Sequence, residues 1–148
     1  MLRKEFILED LKCRDAEDAL RQLGTLLHKG GVVKDTFIDA VIKRERIFPT
    51  GLPAAAFDVA IPHTDSLHVK SSAIAVGIVK NPVEFIQMGS ADIVLKPEII
   101  IMLAIDNAHE QLSFLRKIMS LLQNESLLKE VQAAGSKEVI YELLTNNL

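Results

Sequence analysis

The chain has 148 residues, enough for one compact domain with a sizeable core, and 49% of them are hydrophobic while only 5% are aromatic. The formal net charge of −3 comes from acidic and basic residues mixed along the chain, so no basic stripe suggests a nucleic-acid partner. This composition is typical of an α/β domain built on small and aliphatic side chains.

The cysteine content and the apolar runs indicate the compartment. Cys13 is the only cysteine, so it forms no internal disulfide, and with no motif around it an ordinary half-buried thiol is favoured over a nucleophile. The first residues are charged and do not resemble a signal peptide. The longest apolar run, residues 99–105, is far too short to cross a bilayer. We therefore expect a soluble, cytoplasmic protein without direct membrane insertion.

The N-terminal third is predicted to contain two helices. Apolar residues recur at helical spacing after Asp15, and the glycine pair 30–31 ends that pattern. Asp35 is the expected N-cap of a second helix, which finishes in the charged segment 43–46. Pro49 ends it, because the residue before a proline resists helical geometry.

The middle of the chain is predicted to supply the strands. Residues 50–53 are interpreted as a turn because they combine glycine with proline. Residues 98–105 give the strongest strand, since an almost unbroken apolar run suits the centre of a sheet that is covered on both faces. The other candidates are a buried strand at 73–79, a short strand at 59–61 and weaker ones at 83–86 and 93–95.

The C-terminal third is again predicted to be helical. Asn107 is a good N-cap, with Glu110 three residues later as in a capping box. Two shorter helices follow: the first ends at Gly135, and Ser136 is the expected N-cap of the second. The buried stripe expected on the first of these three helices is Leu112, Leu115, Ile118, Met119 and Leu122. The predicted order of helices, strands and helices indicates one α/β layered domain over residues 1–148.

Two of the four histidines follow directly on predicted strands. His63 comes after the strand at 59–61, and His109 lies just past the strand at 98–105. If these strands are parallel neighbours, both imidazoles emerge at one edge of the sheet, where α/β domains collect ligands. His109 also falls in the first turn of its helix, near free backbone N–H groups. His28, at the end of the first helix, is interpreted as structural or solvated.

Imidazole is well suited to carry a phosphoryl group near neutral pH, because its unprotonated nitrogen is nucleophilic and the new bond stays labile. Such a transfer needs positioning and cations more than covalent help from the protein. Arg44 and Arg46 are the candidate cations, and Thr50 offers a hydroxyl. His63 is the candidate acceptor, with His109 as its neighbour.

The residues alone leave other interpretations open. A Pro-His pair after a strand is often only a turn, and His109 can equally pack locally at its helix end. The segment 43–46 can be a solvated helix terminus. His63 and His68, with Asp65 between them, could hold a metal ion, although no cysteine or third histidine stands at ligand spacing.

Taken together, several segments resemble the IIA domains of the fructose/mannitol-type phosphotransferase system. The likeness extends over nearly the whole chain, and within the family it is to galactitol-type IIA proteins, through residues 48–51 and 63–72. The segments that carry it are Arg44-Glu45, Pro49-Thr50-Gly51-Leu52, Ala60-Ile61-Pro62-His63, His109 with Gln111-Leu112, and Ser136-Lys137-Glu138-Val139.

The resemblance implies a fold and a set of roles. The fold would be a mixed, mostly parallel sheet flanked by helices. His63 would accept the phosphoryl group on Nε2, His109 would stabilise that group, and Arg44 would be its cation. The donor would be the phosphocarrier protein HPr, and the acceptor would be a cysteine of a cognate IIB component acting with the membrane component IIC. The cargo would be a sugar or polyol of the galactitol kind, and no cofactor or metal would be needed.

Two rival functions remain open at this point. A regulatory IIA of the nitrogen-related type would also be phosphorylated on His63, but would act by binding other proteins according to its phosphorylation state. A binding module without chemistry would use His63 only as a turn residue and would tolerate His63→Gln. Leu52, Pro53 and Phe57 are possible partner contacts, or they pack as ordinary loop residues.

Overall fold

The computed structural model describes residues 1–148, which form a central five-stranded sheet between two layers of helices. The strands of this sheet lie in the order β1-β4-β7-β3-β2. They are β1 (Leu2–Leu11), β2 (Gly51–Pro53), β3 (Asp58–Ala60), β4 (Ala73–Val79) and β7 (Ile99–Ala104), while β5 (Phe85–Ile86) and β6 (Val94–Leu95) form a separate hairpin. The helices are α1 (Ala16–Lys29), α2 (Phe37–Ile47), α3 (Ala108–Leu121), α4 (Glu125–Ala133) and α5 (Lys137–Thr145).

The two predicted central strands are confirmed. β4 has the predicted bounds, and β7 is one residue shorter at each end than the predicted 98–105. They pair antiparallel, with Ala73 opposite Ala104 and Ile78 opposite Ile99. Almost all their side chains are buried, because helices cover both faces of the sheet and leave no polar alternation.

The predicted mixed α/β architecture is also confirmed. β1 pairs parallel with β4, and β3 pairs parallel with β7. β4 and β7, and likewise β2 and β3, pair antiparallel. Parallel and antiparallel pairings are therefore balanced, rather than mostly parallel as expected. Because β3 and β7 are parallel neighbours, the residues that follow these two strands emerge at the same edge of the sheet.

The core has two halves, one on each face of the sheet. One cluster of 21 buried residues lies under α1 and α2 and includes Leu20, Leu23 and Phe37. A second cluster of 20 buried residues lies under α3, α4 and α5 and includes Ile101 and Ile118. The central strands are apolar on both sides because each face of the sheet is covered by one of these two clusters.

The predicted order of elements is wrong at the N-terminus, where β1 precedes the first helix. Residues 3–5 are charged and exposed along this edge strand, which hides the strand pattern. Phe6 and Ile7 are both fully buried, each in a different half of the core. The register with β4 shifts between Leu2 and Ile7, so the strand departs from simple alternation.

The predicted cap of α2 is wrong. The N-cap is Thr36, in helical geometry and without a side-chain hydrogen bond to the helix. Asp35 instead contacts His28, with 2.6 Å between Oδ1 and Nε2, and this hydrogen bond lowers the pKa of Asp35. His28, interpreted as structural or solvated, thus joins the end of α1 to the start of α2. The other predicted caps, Asn107 and Ser136, are confirmed, and Asp15, after which the helical pattern begins, is the N-cap of α1.

The turn predicted at 50–53 is wrong, because Gly51–Pro53 forms strand β2 against β3. The chain instead reverses at residues 54–57, where the N–H of Ala54 donates to the carbonyl of Phe57 over 3.1 Å. Pro53 can end β2 because this is an edge strand, where a missing N–H breaks no ladder.

The buried stripe predicted for α3 is only partly right. Ile118 and Leu122 are buried as expected, but Phe114 and Leu121 take the other core positions. Leu112 and Met119 are 56% and 42% exposed. The helix is therefore rotated relative to the prediction, and this turns Leu115 and Met119 toward a cavity beside His63. No helix of the chain is both long and apolar enough to cross a membrane.

Candidate functional site

The backbone that carries His63 is held from both sides at the end of β3. The N–H of Ile61 donates to the carbonyl of Thr50 over 3.1 Å, and the N–H of Leu103 donates to the carbonyl of Pro62 over 3.0 Å. His63 itself lies opposite Leu103 of the neighbouring strand β7. The sequence Ile61-Pro62-His63 thus extends the sheet by backbone pairing on both flanks and sets the histidine at its edge.

The imidazole of His63 is buried and points one nitrogen back at its own backbone. Only 8% of the residue is exposed. Nδ1 lies 2.8 Å from the carbonyl oxygen of Ile61, and because a carbonyl can only accept, Nδ1 carries the proton. Nε2 then holds the lone pair. Burial lowers the pKa of His63, and the nearby Arg44 charge lowers it further, against opposing effects of Ile61 and Asp65.

His63 opens into a cavity of about 450 Å³ at the surface. Arg44 and Thr50 share this cavity with it, while most of the remaining wall is apolar. Phe48, Met88 and Met119, which line the cavity, are each at least 40% exposed. The site therefore combines one nucleophilic nitrogen and one cation with an apolar rim.

Arg44 approaches the cavity from the last turn of α2. Its guanidinium carbon lies 5.2 Å from the centroid of the Phe48 ring, within the limit of about 6 Å for a cation–π contact. Nη1 is 3.8 Å from Oδ1 of Asp65, a loose ion pair. Nε is fully buried and has no hydrogen-bond partner. A buried N–H without an acceptor is costly, so this donor is available for an anion entering the cavity.

The second candidate cation is not part of the cavity. Nη2 of Arg46 lies 2.7 Å from Oε1 of Glu17 and ties α2 to α1. The hydroxyl of Thr50, predicted as a possible phosphate ligand, instead donates to Glu45 over 2.7 Å. Of the three groups offered by the sequence, only Arg44 presents an unpartnered donor beside His63.

His109 is not brought into contact with His63. It lies in the first turn of α3, is exposed, and neither lines the cavity nor makes a hydrogen bond to His63. The parallel pairing of β3 and β7 puts both histidines beyond the same ends of neighbouring strands, as expected. The four residues between Ala104 and His109 carry the second imidazole out toward solvent.

Two residues that contact the site had been given no role in the sequence analysis. Nε2 of Gln111 donates to the carbonyl of Thr64 over 3.1 Å and so ties α3 to the residue after His63. The carboxylate of Glu45 accepts from both the N–H and the hydroxyl of Thr50. Burial raises the pKa of Glu45. The Gln111 contact has no local sequence signal, because it joins residues that are 47 positions apart. Glu45 and Thr50 are only five positions apart, so their spacing is the signal that could have suggested the second contact.

The other candidate chemistries gain no support from the geometry. Nδ1 of His68 lies 2.8 Å from the hydroxyl of Thr36, so this ring is engaged elsewhere. The structure contains no cluster of three or more histidine, cysteine or acidic side chains that could hold a metal ion. Cys13 is buried, and this burial raises its pKa, with Asp18 and Asp15 adding to the effect.

Comparison with known proteins identifies the family. The family model described as "Phosphoenolpyruvate-dependent sugar phosphotransferase system, EIIA 2" matches residues 1–147. The galactitol-specific EIIA component of Escherichia coli K12 is 33% identical over 124 residues, which are 84% of this chain and 82% of that protein.

Two solved structures share the fold. The crystal structure of IIA mannitol from Escherichia coli superposes with a TM-score of 0.80 at 24% identity, covering 97% of this chain and 99% of that one. The complex of enzyme IIA mannitol with phosphorylated enzyme IIB mannitol, from the same species, gives a TM-score of 0.78 at 24% identity over 99% of both chains. The chain belongs to the EIIA type-2 family of the phosphoenolpyruvate-dependent sugar phosphotransferase system, whose members are phosphotransfer proteins.

Proposed function

We propose that this chain is a sugar-specific IIA component that accepts a phosphoryl group on Nε2 of His63 from phospho-HPr and passes it to a cognate IIB component. The observation that carries the proposal is the pairing of Nδ1 of His63 with the Ile61 carbonyl, which leaves Nε2 as the nucleophile. Arg44 supports it, because its buried Nε has no partner in the same cavity.

The transfer is an in-line displacement at phosphorus in each direction. The Nε2 lone pair forms a bond to phosphorus while the bond to the donor's leaving atom breaks, and the electron pair departs with the donor. In the second step a cysteine thiolate of IIB attacks phosphorus, and the pair returns to Nε2. The proton stays on Nδ1 throughout and is donated to the Ile61 carbonyl, so the neutral ring becomes a cation once Nε2 is phosphorylated, and its buried setting makes that cationic ring a good leaving group.

The guanidinium of Arg44 offsets the charge of the incoming phosphoryl oxygens. The buried N–H gains the acceptor that it lacks, and such charge-assisted hydrogen bonds are about twice as strong as neutral ones. Phe48 restricts the guanidinium by stacking, which reduces the side-chain entropy lost when the phosphoryl group arrives. His109 is exposed in the first turn of α3 and remains our candidate for a second stabilising group.

The apolar rim suits partners that dock in turn. HPr and IIB must both reach Nε2, so a shallow and mostly apolar surface around the cavity favours brief complexes. Phe48, Met88 and Met119 are better candidates for this contact than Leu52 and Phe57, because the latter two pack against the core. The structure of the mannitol IIA with phosphorylated IIB supports IIB as the acceptor class.

The galactitol-specific relative supports a sugar or polyol of that kind as the transported substrate. A membrane component IIC would complete the system. In a regulatory protein of the nitrogen-related type, the same phosphohistidine would not pass its group to a transporter IIB. Onward transfer to a IIB cysteine therefore separates the two functions.

The test is incubation with enzyme I, HPr and phosphoenolpyruvate, followed by intact-mass measurement. We expect an acid-labile gain of one phosphoryl group in the wild type and in His28→Ala, and none in His63→Ala. Adding galactitol-type IIB should then discharge the phospho-form. An unmodified wild type would refute phosphoryl transfer, and a phospho-form that no transporter IIB discharges would favour the regulatory function.

A further inference from the structure

A partly buried carboxylate lies directly behind the candidate site. Glu45 follows Arg44 in α2, but its side chain leaves the cavity and contacts Thr50. Oε2 accepts from the Thr50 N–H over 2.8 Å, and Oε1 accepts from the Thr50 hydroxyl over 2.7 Å. Thr50 is only 2% exposed, so its N–H and its hydroxyl depend on Glu45 rather than on water for an acceptor. Keeping a carboxylate out of water is unfavourable, and these two hydrogen bonds offset that cost.

Thr50 connects this carboxylate to the imidazole through two further hydrogen bonds. Its carbonyl accepts from the N–H of Ile61 over 3.1 Å. The carbonyl of Ile61 accepts from Nδ1 of His63 over 2.8 Å. A continuous series of hydrogen bonds through the backbones of Thr50 and Ile61 therefore connects Glu45 to the His63 ring. Every residue in this series is buried or partly buried.

We infer that Glu45 is a positioning residue for His63. By holding Thr50 at both of its donors, Glu45 sets where the Ile61 peptide lies, and the Ile61 carbonyl in turn keeps the ring in the tautomer that carries its proton on Nδ1. Because Arg44 is the adjacent residue, the same anchor also fixes the end of α2 from which the cation reaches the cavity. The catalytic consequence rests on the proposed function, whereas the control of the tautomer does not.

A matched set of variants separates positioning from general stability. Glu45→Ala removes both acceptors. Glu45→Gln keeps the link, because the amide oxygen can accept from the Thr50 N–H while its NH₂ donates to the Thr50 hydroxyl. Thr50→Val removes only the hydroxyl contact. Glu84→Ala is the control, since Glu84 is an exposed glutamate near Glu45 with no contact to Thr50.

Two measurements then decide. In the unphosphorylated protein, ¹⁵N shifts of the His63 ring report the share of the Nδ1–H tautomer. We expect that share to fall in Glu45→Ala and to stay near the wild-type value in Glu45→Gln and Glu84→Ala. With phospho-HPr as donor, Glu45→Ala should lower the maximal phosphorylation rate about tenfold or more while the half-saturating donor concentration changes little, as expected when a nucleophile loses its orientation.

The inference is overturned if folded Glu45→Ala has the ring shifts and maximal rate of Glu84→Ala. Should Glu45→Ala fail to fold, Thr50→Val must show a smaller loss of the Nδ1–H tautomer, and wild-type shifts in that variant would also overturn it. If the wild type accepts no phosphoryl group, the proposed function fails, yet the ring shifts still decide whether Glu45 controls the tautomer.

Discussion

A histidine accepts a phosphoryl group only while one ring nitrogen keeps its lone pair, and two features hold His63 in that state. Burial and the Arg44 charge disfavour the doubly protonated ring, and the Ile61 carbonyl selects the proton on Nδ1. The ordinary pKa of histidine is 6.5, and the folded value lies below it. Between the two values the unfolded chain binds the extra proton more readily than the folded protein does.

We therefore predict that His63 makes stability depend on pH. Its contribution is fully present above the unfolded pKa of 6.5 and is lost as pH falls through the lower folded pKa. Urea unfolding of the wild type and of His63→Gln, measured above and below that range, should give the steeper acid loss for the wild type. Equal losses of unfolding free energy at acid pH in the two proteins would show that burial does not disfavour the protonated His63 ring.

Arg44 gives the second prediction at the scale of single residues. Arg44→Ala should raise the activation barrier for phosphorylation of His63 by on the order of 1–3 kcal/mol, because a charge-assisted contact to the phosphoryl group is lost. Arg46→Ala is the matched control, since Arg46 pairs with Glu17 and does not line the cavity. Phosphorylation rates with phospho-HPr provide the measurement. Equal rates in the two variants would exclude Arg44 from the transfer.

At the scale of elements, helix α3 links the sheet edge to the apolar rim of the cavity. Its N-cap Asn107 accepts from the N–H of Glu110 over 2.8 Å and starts the helix just after β7. Gln111 then ties the first turns to Thr64, beside His63. The rotation of the helix leaves Met119 exposed at the rim. One helix thus presents His109, Gln111 and part of the apolar rim around one histidine.

His109 and Gln111 should behave differently when removed. Because His109 makes no contact with His63, His109→Ala should leave the unfolding free energy and the His63 ring shifts unchanged while the phospho-form hydrolyses faster. Gln111→Ala removes a hydrogen bond and should cost about 1 kcal/mol of stability. Urea unfolding and the decay of phosphohistidine measure both. A phospho-form as long-lived in His109→Ala as in the wild type would remove His109 from the mechanism.

At the scale of the whole molecule, the sequence predicts what periodicity and chain order encode. The apolar runs of β4 and β7 and the placement of His63 after a strand follow from pattern alone, and Arg44 follows from the resemblance to a family. The partner of Asp35, the rotation of α3 and the exposure of His109 do not, because each depends on which element packs alongside. Edge strands are hardest, since β1 and β2 mix charged or turn-forming residues with few buried ones.

The N-terminal strand, β1, which the sequence analysis missed, is nevertheless part of the cooperative core. Phe6 of β1 is fully buried, and a Cβ placed on Gly30 would lie 2.5 Å from its ring, so the end of α1 packs directly on it. We predict that Phe6→Ala lowers the unfolding free energy by about 3–5 kcal/mol, whereas Lys4→Ala, on the exposed part of the same strand, changes it by less than about 0.5 kcal/mol. Urea unfolding followed by circular dichroism measures both. A small loss in Phe6→Ala would mean that β1 separates from the sheet before global unfolding, and that the remaining strands hold the candidate site without it.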